Sequence, residues 1–194
     1  MNLVKISDGN SKLGNIPNVS MVPGKDCGNC SYCAKGCYAM KAYRMYKATK
    51  AAWESNSDLA RNRRQEFFEG IIEFLEKKRP EFFRWHVAGD ILDQAYLDDM
   101  IWVAKVIPDT KYLAFTKMHH LDFSMLPGNL VVVASMWPGM PEHPNVAKLH
   151  KAWMQDGTET RVPETAIPCP GICESCGMCW ALPKIGRDVV FKKH

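Results

Sequence analysis

Leu130-Val131-Val132-Val133-Ala134 is an uninterrupted apolar run, mostly β-branched. A strand with one wet face alternates apolar and polar side chains. A run without that alternation belongs to a strand covered on both faces, as in parallel sheets whose crossovers carry helices. Upstream, Lys111 to Thr116 reads as a second strand. Phe82-Phe83-Arg84-Trp85-His86-Val87-Ala88 reads as another, bounded by Gly89-Asp90, and Asn18 to Val22 as a short one ended by Pro23-Gly24. Between them lie helical periods. Tyr38, Ala42, Met45, Tyr46, Thr49 and Trp53 recur at steps of three and four and predict one helix with a single apolar face. Asn56 or Ser57 is placed to cap a second helix, carrying Phe67, Phe68, Ile71, Ile72 and Leu75 and stopping before Pro80. Asp93 caps a third, with Leu97, Met100, Ile101 and Ala104 inward. Downstream, Val146, Leu149 and Trp153 predict a helix started by Pro144, Thr158 to Pro168 a loop, and Val189 to Phe191 a last strand. Strands and helices alternate without a two-residue hairpin signal. The expectation is therefore a single α/β domain over residues 1–194, a small or partial (β/α) barrel with mainly parallel strands and cysteine-rich loops near both termini.

Those loops hold all eight cysteines. Cys27, Cys30, Cys33 and Cys37 are separated by two, two and three residues; Cys169, Cys173, Cys176 and Cys179 by three, two and two. Thiolates bunched so tightly repel one another unless a cation neutralises them. The order two, two, three is the ligand spacing of ferredoxin-type [4Fe–4S] clusters, although Tyr38 stands where that pattern has proline. Two [4Fe–4S] clusters are the first expectation. Structural zinc is the rival, one ion per run or a composite site with two thiolates from each. A disulfide framework comes third, because it needs a small secreted domain. Met1 to Gly14 carries Lys5, Asp8 and Lys12 and no apolar h-region, so no signal peptide is expected. A reducing, cytoplasmic location follows.

In parallel sheets ligands gather at the carboxyl ends of strands. Those ends here are Gly89-Asp90, Thr116-Lys117 and Ser135-Met136-Trp137, and the first cysteine loop, following its own strand, opens at the same rim. Gly89, Asp90, Lys117 and Ser135 are thus the candidate cofactor-binding residues beside the first cluster. Singly each has an ordinary explanation: a turn after glycine, a surface charge, a strand end. Among the histidines, His86 reads as a core or rim residue and the pair His119-His120 as surface loop. Walker, G-x-G-x-x-G, H-E-x-x-H and G-x-S-x-G motifs are absent from the sequence.

The net charge of +4 and pI near 8.6 permit contact with nucleic acid without demanding it. Lys41, Arg44, Lys47, Arg61, Arg63 and Arg64 could serve such contact, weakly, if the cysteine runs are only structural pins. No apolar run reaches membrane-spanning length. The expected partners are an electron-donor protein and a small-molecule substrate that the sequence does not name.

A strand leading into Asn29-Cys30-Ser31-Tyr32-Cys33 and then a helix resembles the start of a radical S-adenosylmethionine enzyme. The resemblance implies a cluster on three cysteines with one iron open for S-adenosylmethionine, and Ala88-Gly89-Asp90 resembles the acidic strand end that touches the methionine amino group. The superfamily spacing is three then two, however, and Cys37 offers a fourth thiolate; the run from Cys169 resembles an appended auxiliary cluster module. Across most of its length the chain is similar to a phage family known by its gene-product number, eighty-eight, through Cys37-Tyr38-Ala39, the central Gly89-Asp90 and the closing Cys176 to Trp180. Three functions follow as expectations: a redox or radical enzyme, a non-catalytic electron carrier, or a nucleic-acid-associated module.

Overall fold

The apolar run lies in the longest strand of the sheet, Leu130–Met136, and its neighbours on both sides run parallel to it. The computed structural model describes residues 3–28 and 30–192. In chain order its elements are β1 (Ile6–Ser7), β2 (Asn18–Val19), α1 (Tyr38–Met45), α2 (Lys47–Asn62), α3 (Arg64–Lys78), β3 (Phe82–Trp85), α4 (Gln94–Val106), β4 (Lys111–Thr116), β5 (Leu130–Met136), β6 (Lys151–Gln155), β7 (Ile167–Pro168), α5 (Cys173–Cys176), α6 (Leu182–Ile185) and β8 (Val189–Lys192). The sheet order is β1-β2-β3-β4-β5-β6-β8-β7. β1 is antiparallel to β2; every other pairing is parallel. No pairing joins the two end strands β1 and β7 among the described residues, so the sheet is an eight-stranded, mostly parallel one with open edges.

From β2 to β6 each strand is laid beside its predecessor, in sequence order. Crossovers of constant hand that always advance in one direction place their helices on one face. That face holds the larger core. Phe67, Phe68, Ile71 and Leu75 of α3 and Tyr96, Leu97, Met100 and Ala104 of α4 pack on Phe83, Trp85, Tyr112, Ala114, Leu130, Val132 and Ala134 of the sheet. Trp85 is ringed by Phe68 at 5.9 Å, Phe83 at 5.3 Å and Tyr112 at 6.4 Å between centroids. The other face, carrying Leu113, Val131, Val133, Ala152 and Val189, is covered by Leu13 and Ile16 from the N-terminal loop and by Trp180 and Leu182 after the second cysteine run. This is why β5 is apolar throughout: both its faces are buried.

Several expected elements differ. The helix from Tyr38 is two, broken at Tyr46 (φ −111°, ψ 105°). Its predicted apolar face is not inward: Tyr38, Met45 and Tyr46 are exposed, and Ala39 is the buried residue of α1. Asn56 and Ser57 cap nothing; they are buried inside α2, where the Asn56 amide bonds the Lys5 and Ser20 backbone. The next helix starts at Arg64. Asp93 does cap α4, its carboxylate accepting the Tyr96 N–H at 2.8 Å. The strand at Phe82 ends at Trp85, because His86 turns to φ +52°. Pro144 starts only a single 3₁₀ turn, Pro144–Val146. Trp153 lies instead in strand β6, paired with β5 and β8, its indole N–H on Asp188 at 2.9 Å. A period of three and four among short apolar residues was outweighed by an edge of β5 that needed a partner. Thr158 to Pro168 is loop except for β7. No described helix is long and apolar enough to cross a membrane.

Candidate functional site

The chain leaves β2 and immediately buries Ser20, Met21 and Val22. The Met21 N–H donates to the Ala88 carbonyl at 2.9 Å, and the Asn56 side chain holds the Ser20 carbonyl. Asp26, also buried, accepts from the Val22 N–H at 2.8 Å and from Arg61 Nε at 2.7 Å, while its carbonyl accepts the Asp90 N–H at 2.7 Å. The turn is therefore tied to β3's end through Ala88 and Asp90 and to α2 through Asn56 and Arg61, which fixes the first cysteine loop above the carboxyl ends of β2 and β3. Gly89 makes the approach possible. It sits at φ +86°, and a Cβ there would meet Met21 Cβ at 3.1 Å.

Cys27 and Cys33 are buried, Cys30 and Cys37 partly so; Asn29, within this loop, lies outside the described residues. The Gly24 N–H points at Cys27 Sγ at 3.3 Å. Burial pushes the thiols of Cys27, Cys30 and Cys33 up, the other thiols of the run push the same way, and the Lys117 ammonium opposes both. Cys27, Cys30 and Cys33 thus lie within the field of Lys117.

Lys117 is held there by Asp90. The carboxylate is fully buried; Oδ1 accepts the Thr116 hydroxyl at 2.6 Å and the Ile91 N–H at 2.8 Å. Oδ2 accepts the Lys117 N–H at 2.9 Å and faces its ammonium at 3.8 Å. Burial lowers the Lys117 pKa, but Asp90 and the nearby thiols outweigh it and the net shift is upward. Asp90 is therefore no mere turn residue and Lys117 no surface charge: together they tie β3's end to β4's end beneath the first cysteines. Ser135 stands one strand away, half-buried; among the described residues none of its contacts reaches that group. His119 lies between, its ring nitrogens near the Thr116 and Ser135 carbonyls without a well-formed bond. It is buried, contrary to the surface expected of the pair, and His120 is the exposed one. His86 is a core residue as expected, with Nε2 3.0 Å from the Tyr96 hydroxyl; burial drops its pKa to about 3.

The second run packs on the sheet face opposite α3 and α4. Cys169 is tied to β8 by its N–H on the Val190 carbonyl, and the Cys173 N–H reaches the Lys12 carbonyl at 2.8 Å. Trp180 anchors the segment, its indole edge-on to Phe82 at 5.2 Å and its N–H on the Lys111 carbonyl at 3.1 Å. Cys169, Cys173, Cys176 and Cys179 line one small, partly open cleft of about 20 Å³, whose other walls include Pro170, Ile172, Met178, Trp180 and Val189. Burial pushes the Cys179 thiol up to about 12 and raises Cys173, while Arg84 pulls both down. Arg84, which the sequence reading did not single out, projects from β3 onto this face, over the Phe115 ring at 4.1 Å. The available signal was its alternation with the buried aromatics Phe83 and Trp85. Tyr38, an exposed residue, donates its hydroxyl to the Val87 carbonyl at 2.7 Å, within the field of Arg84 and Lys117.

None of the eight cysteines forms a disulfide. Among the described residues no three His, Cys, Asp or Glu converge as ligands of one ion. Each run offers thiol donors, two of them buried and the other six partly buried. Of the cations proposed for nucleic acid, Arg61 is committed to Asp26, Arg63 to Glu66 and Arg64 to Asp93 and Asp99. Lys41, Arg44 and Lys47 remain as an exposed strip on α1 and the start of α2.

Fold and site together define an α/β protein with a sequentially ordered parallel sheet that carries one four-thiol group at its strand ends and another beneath it. The profile of the Gene product 88 family matches residues 3–182, and the chain belongs to that family. It is 24% identical to the Gene 88 protein of Mycobacterium phage L5 and 22% identical to that of Mycobacterium phage D29, in both cases over 92% of this chain and 89% of the relative. No solved structure matches.

Proposed function

We propose that the protein is an iron–sulfur protein holding two [4Fe–4S] clusters, Cys27, Cys30, Cys33 and Cys37 carrying one and Cys169, Cys173, Cys176 and Cys179 the other, on a sheet of partial-barrel type. The observation that carries this is the sorting of all eight thiols into two thiol-only groups, one at the strand ends and one lining a shared cleft. The sequential strand order supports the partial-barrel description. When bound, the clusters would supply one-electron chemistry. The chain's own residues hold the thiols rigid through the Asp26 and Asp90 networks, place Lys117 against the first group, and exclude water by burying Cys27 and Cys33. Structural zinc is the competing occupant.

Two versions of this function differ at Cys37. Its thiol adds to the repulsion felt by Cys30 and Cys33, which favours four-thiolate ligation and an electron carrier. A radical enzyme using S-adenosylmethionine needs one iron open. It also needs an acidic group for the methionine amine, and both oxygens of Asp90 are engaged by Thr116, Ile91 and Lys117. Redox chemistry with Cys37 in place, supplied by an electron-donor protein in a reducing compartment, is the version best supported; the substrate class is open. Contact with nucleic acid is weak at most, through Lys41, Arg44 and Lys47.

Iron, zinc and acid-labile sulfide per chain after anaerobic purification test the proposal. About eight iron and eight sulfide are expected from two four-iron clusters. Two zinc without sulfide, under iron-replete expression, overturn it.

A further inference from the structure

Helix α1 is fastened on one side and bare on the other. Ala39 is its buried residue, and one turn on the Tyr43 ring lies parallel to Trp53 of α2, with 5° between the planes and 6.4 Å between centroids. At the helix start the Tyr38 hydroxyl is committed to the Val87 carbonyl. Tyr38, Lys41 and Met45, at i, i+3 and i+7, share the other side. Arg44 flanks them, and Tyr46 and Lys47 continue the strip where the chain breaks into α2. Tyr38, Met45 and Tyr46 are 67%, 58% and 57% exposed. One exposed apolar side chain is ordinary; three large ones gathered on a short helix and its break are not.

The charge of this face is one-sided. Between Asp26 and Glu54 the chain carries Lys35, Lys41, Arg44, Lys47 and Lys50 and no acidic residue. Glu54 is already engaged: it accepts the Tyr43 hydroxyl at 2.6 Å and faces Lys50 at 3.9 Å. Asp26 is buried and bound to Arg61. Among the described residues Lys41, Arg44 and Lys47 form no ion pair. The fold therefore supplies neither a cover for the apolar side chains nor a counter-charge for the cations.

We propose that this face of α1, with Tyr46 and Lys47, is a docking surface for an acidic protein segment. Tyr38, Met45 and Tyr46 form its apolar centre, and Lys41, Arg44 and Lys47 pair with carboxylates around it. Protein interfaces have this anatomy, an apolar core within a polar rim, and are enriched in tyrosine, methionine and arginine. Nucleic acid fits less well. Three cations meet about three phosphates, where a strongly salt-dependent binder makes about 6–10 such contacts, and Met45 offers no ring for a base to stack on. Because the three cations are exposed, the pairing is steered by charge and weakened by salt. The inference is independent of what either cysteine run holds.

The test is fluorescence anisotropy on the full chain with two synthetic helical peptides as probes. One carries leucine on one face, flanked by glutamate; its twin carries the same leucines flanked by lysine. The glutamate peptide binds roughly tenfold more tightly at low ionic strength, and the gap narrows as salt rises. Met45→Ser with Tyr46→Ser, and separately Lys41→Glu with Lys47→Glu, each weaken the glutamate peptide by roughly tenfold. The melting temperature of both variants stays at the wild-type value, because these side chains are exposed. Lys77→Glu with Lys78→Glu, exposed at the end of α3, changes the net charge equally and leaves binding as it was. Equal affinity for the two peptides, or an equal loss in both charge-reversed variants, overturns the proposal. Tighter binding of an oligothymidylate than of the glutamate peptide overturns it in favour of nucleic acid. A dimer in sedimentation that Met45→Ser dissolves overturns it in favour of a contact between copies of this chain.

Discussion

Replacing Asp90 by alanine tests whether the rim beneath the first cysteines is a structural knot or an open ligand site. The side chain is fully buried and its partner Lys117 is 14% exposed, so solvent screening relieves little of the loss. Removing one member of a buried pair leaves the other charge uncompensated, at about 3–5 kcal/mol. The Thr116 hydroxyl and the Ile91 and Lys117 N–H groups also lose their acceptor. Each orphaned donor costs about 1–3 kcal/mol in isolation, but these terms share one carboxylate and do not add to the pair. A total near 4 kcal/mol is expected. At about 2–4 °C per kcal/mol for a chain of this size, the melting temperature falls by roughly 8–16 °C. Asp90→Asn falls between wild type and alanine: whichever way the amide is turned, its NH₂ faces a backbone N–H. The assay is thermal and urea unfolding of wild type and variants with matched metal content. A loss under about 1 kcal/mol for Asp90→Ala refutes the reasoning, because a carboxylate so cheaply removed was not holding β3 to β4.

Cys37→Ala is expected to lose the first group's iron and sulfide, cutting the content from about eight of each to about four; an undiminished content shows that Cys37 is not a ligand. Trp85→Ala should cost about 3–5 kcal/mol, read as a lower urea midpoint at unchanged slope, since the ring is wholly enclosed by Phe68, Phe83 and Tyr112. His86 gives a pH signature. Its folded pKa, near 3, lies below the unfolded 6.5, so its contribution is fully present above pH 6.5. It is lost as pH falls from 6.5 towards 3, at up to about 1.4 kcal/mol per unit. In His86→Gln the loss of stability between pH 6 and 4 becomes shallower by that amount; an unchanged slope means the ring is protonated in the fold.

Local pattern was enough to place β4 and β5 and the apolar faces of α3 and α4: β5 through its unbroken apolar run, the helices through three-to-four periodicity, and the start of α4 through its cap. Asp93, Leu97, Met100 and Ala104 behave as their spacing requires. It was also enough to show that two compact groups of thiols demand a common explanation, because their spacing is a property of the chain itself. Trp153 shows the limit. Its neighbours mimic a helical period, and only the free edge of β5 and the acceptor on Asp188 make it a strand residue. Tyr38, Met45 and Tyr46 show a second: periodicity identifies an apolar face but not whether another element is there to cover it. What the sequence alone determined is which residues form the central strands β4 and β5 of a mostly parallel sheet and that eight sulfur atoms fall into two compact groups. Tertiary structure alone decided which charges stand beside those atoms. Arg84 and Cys179 are far apart in the chain, as are Lys117 and Cys27. Coulomb interactions depend on distance through space and on burial, and neither is written in the spacing of residues along the chain.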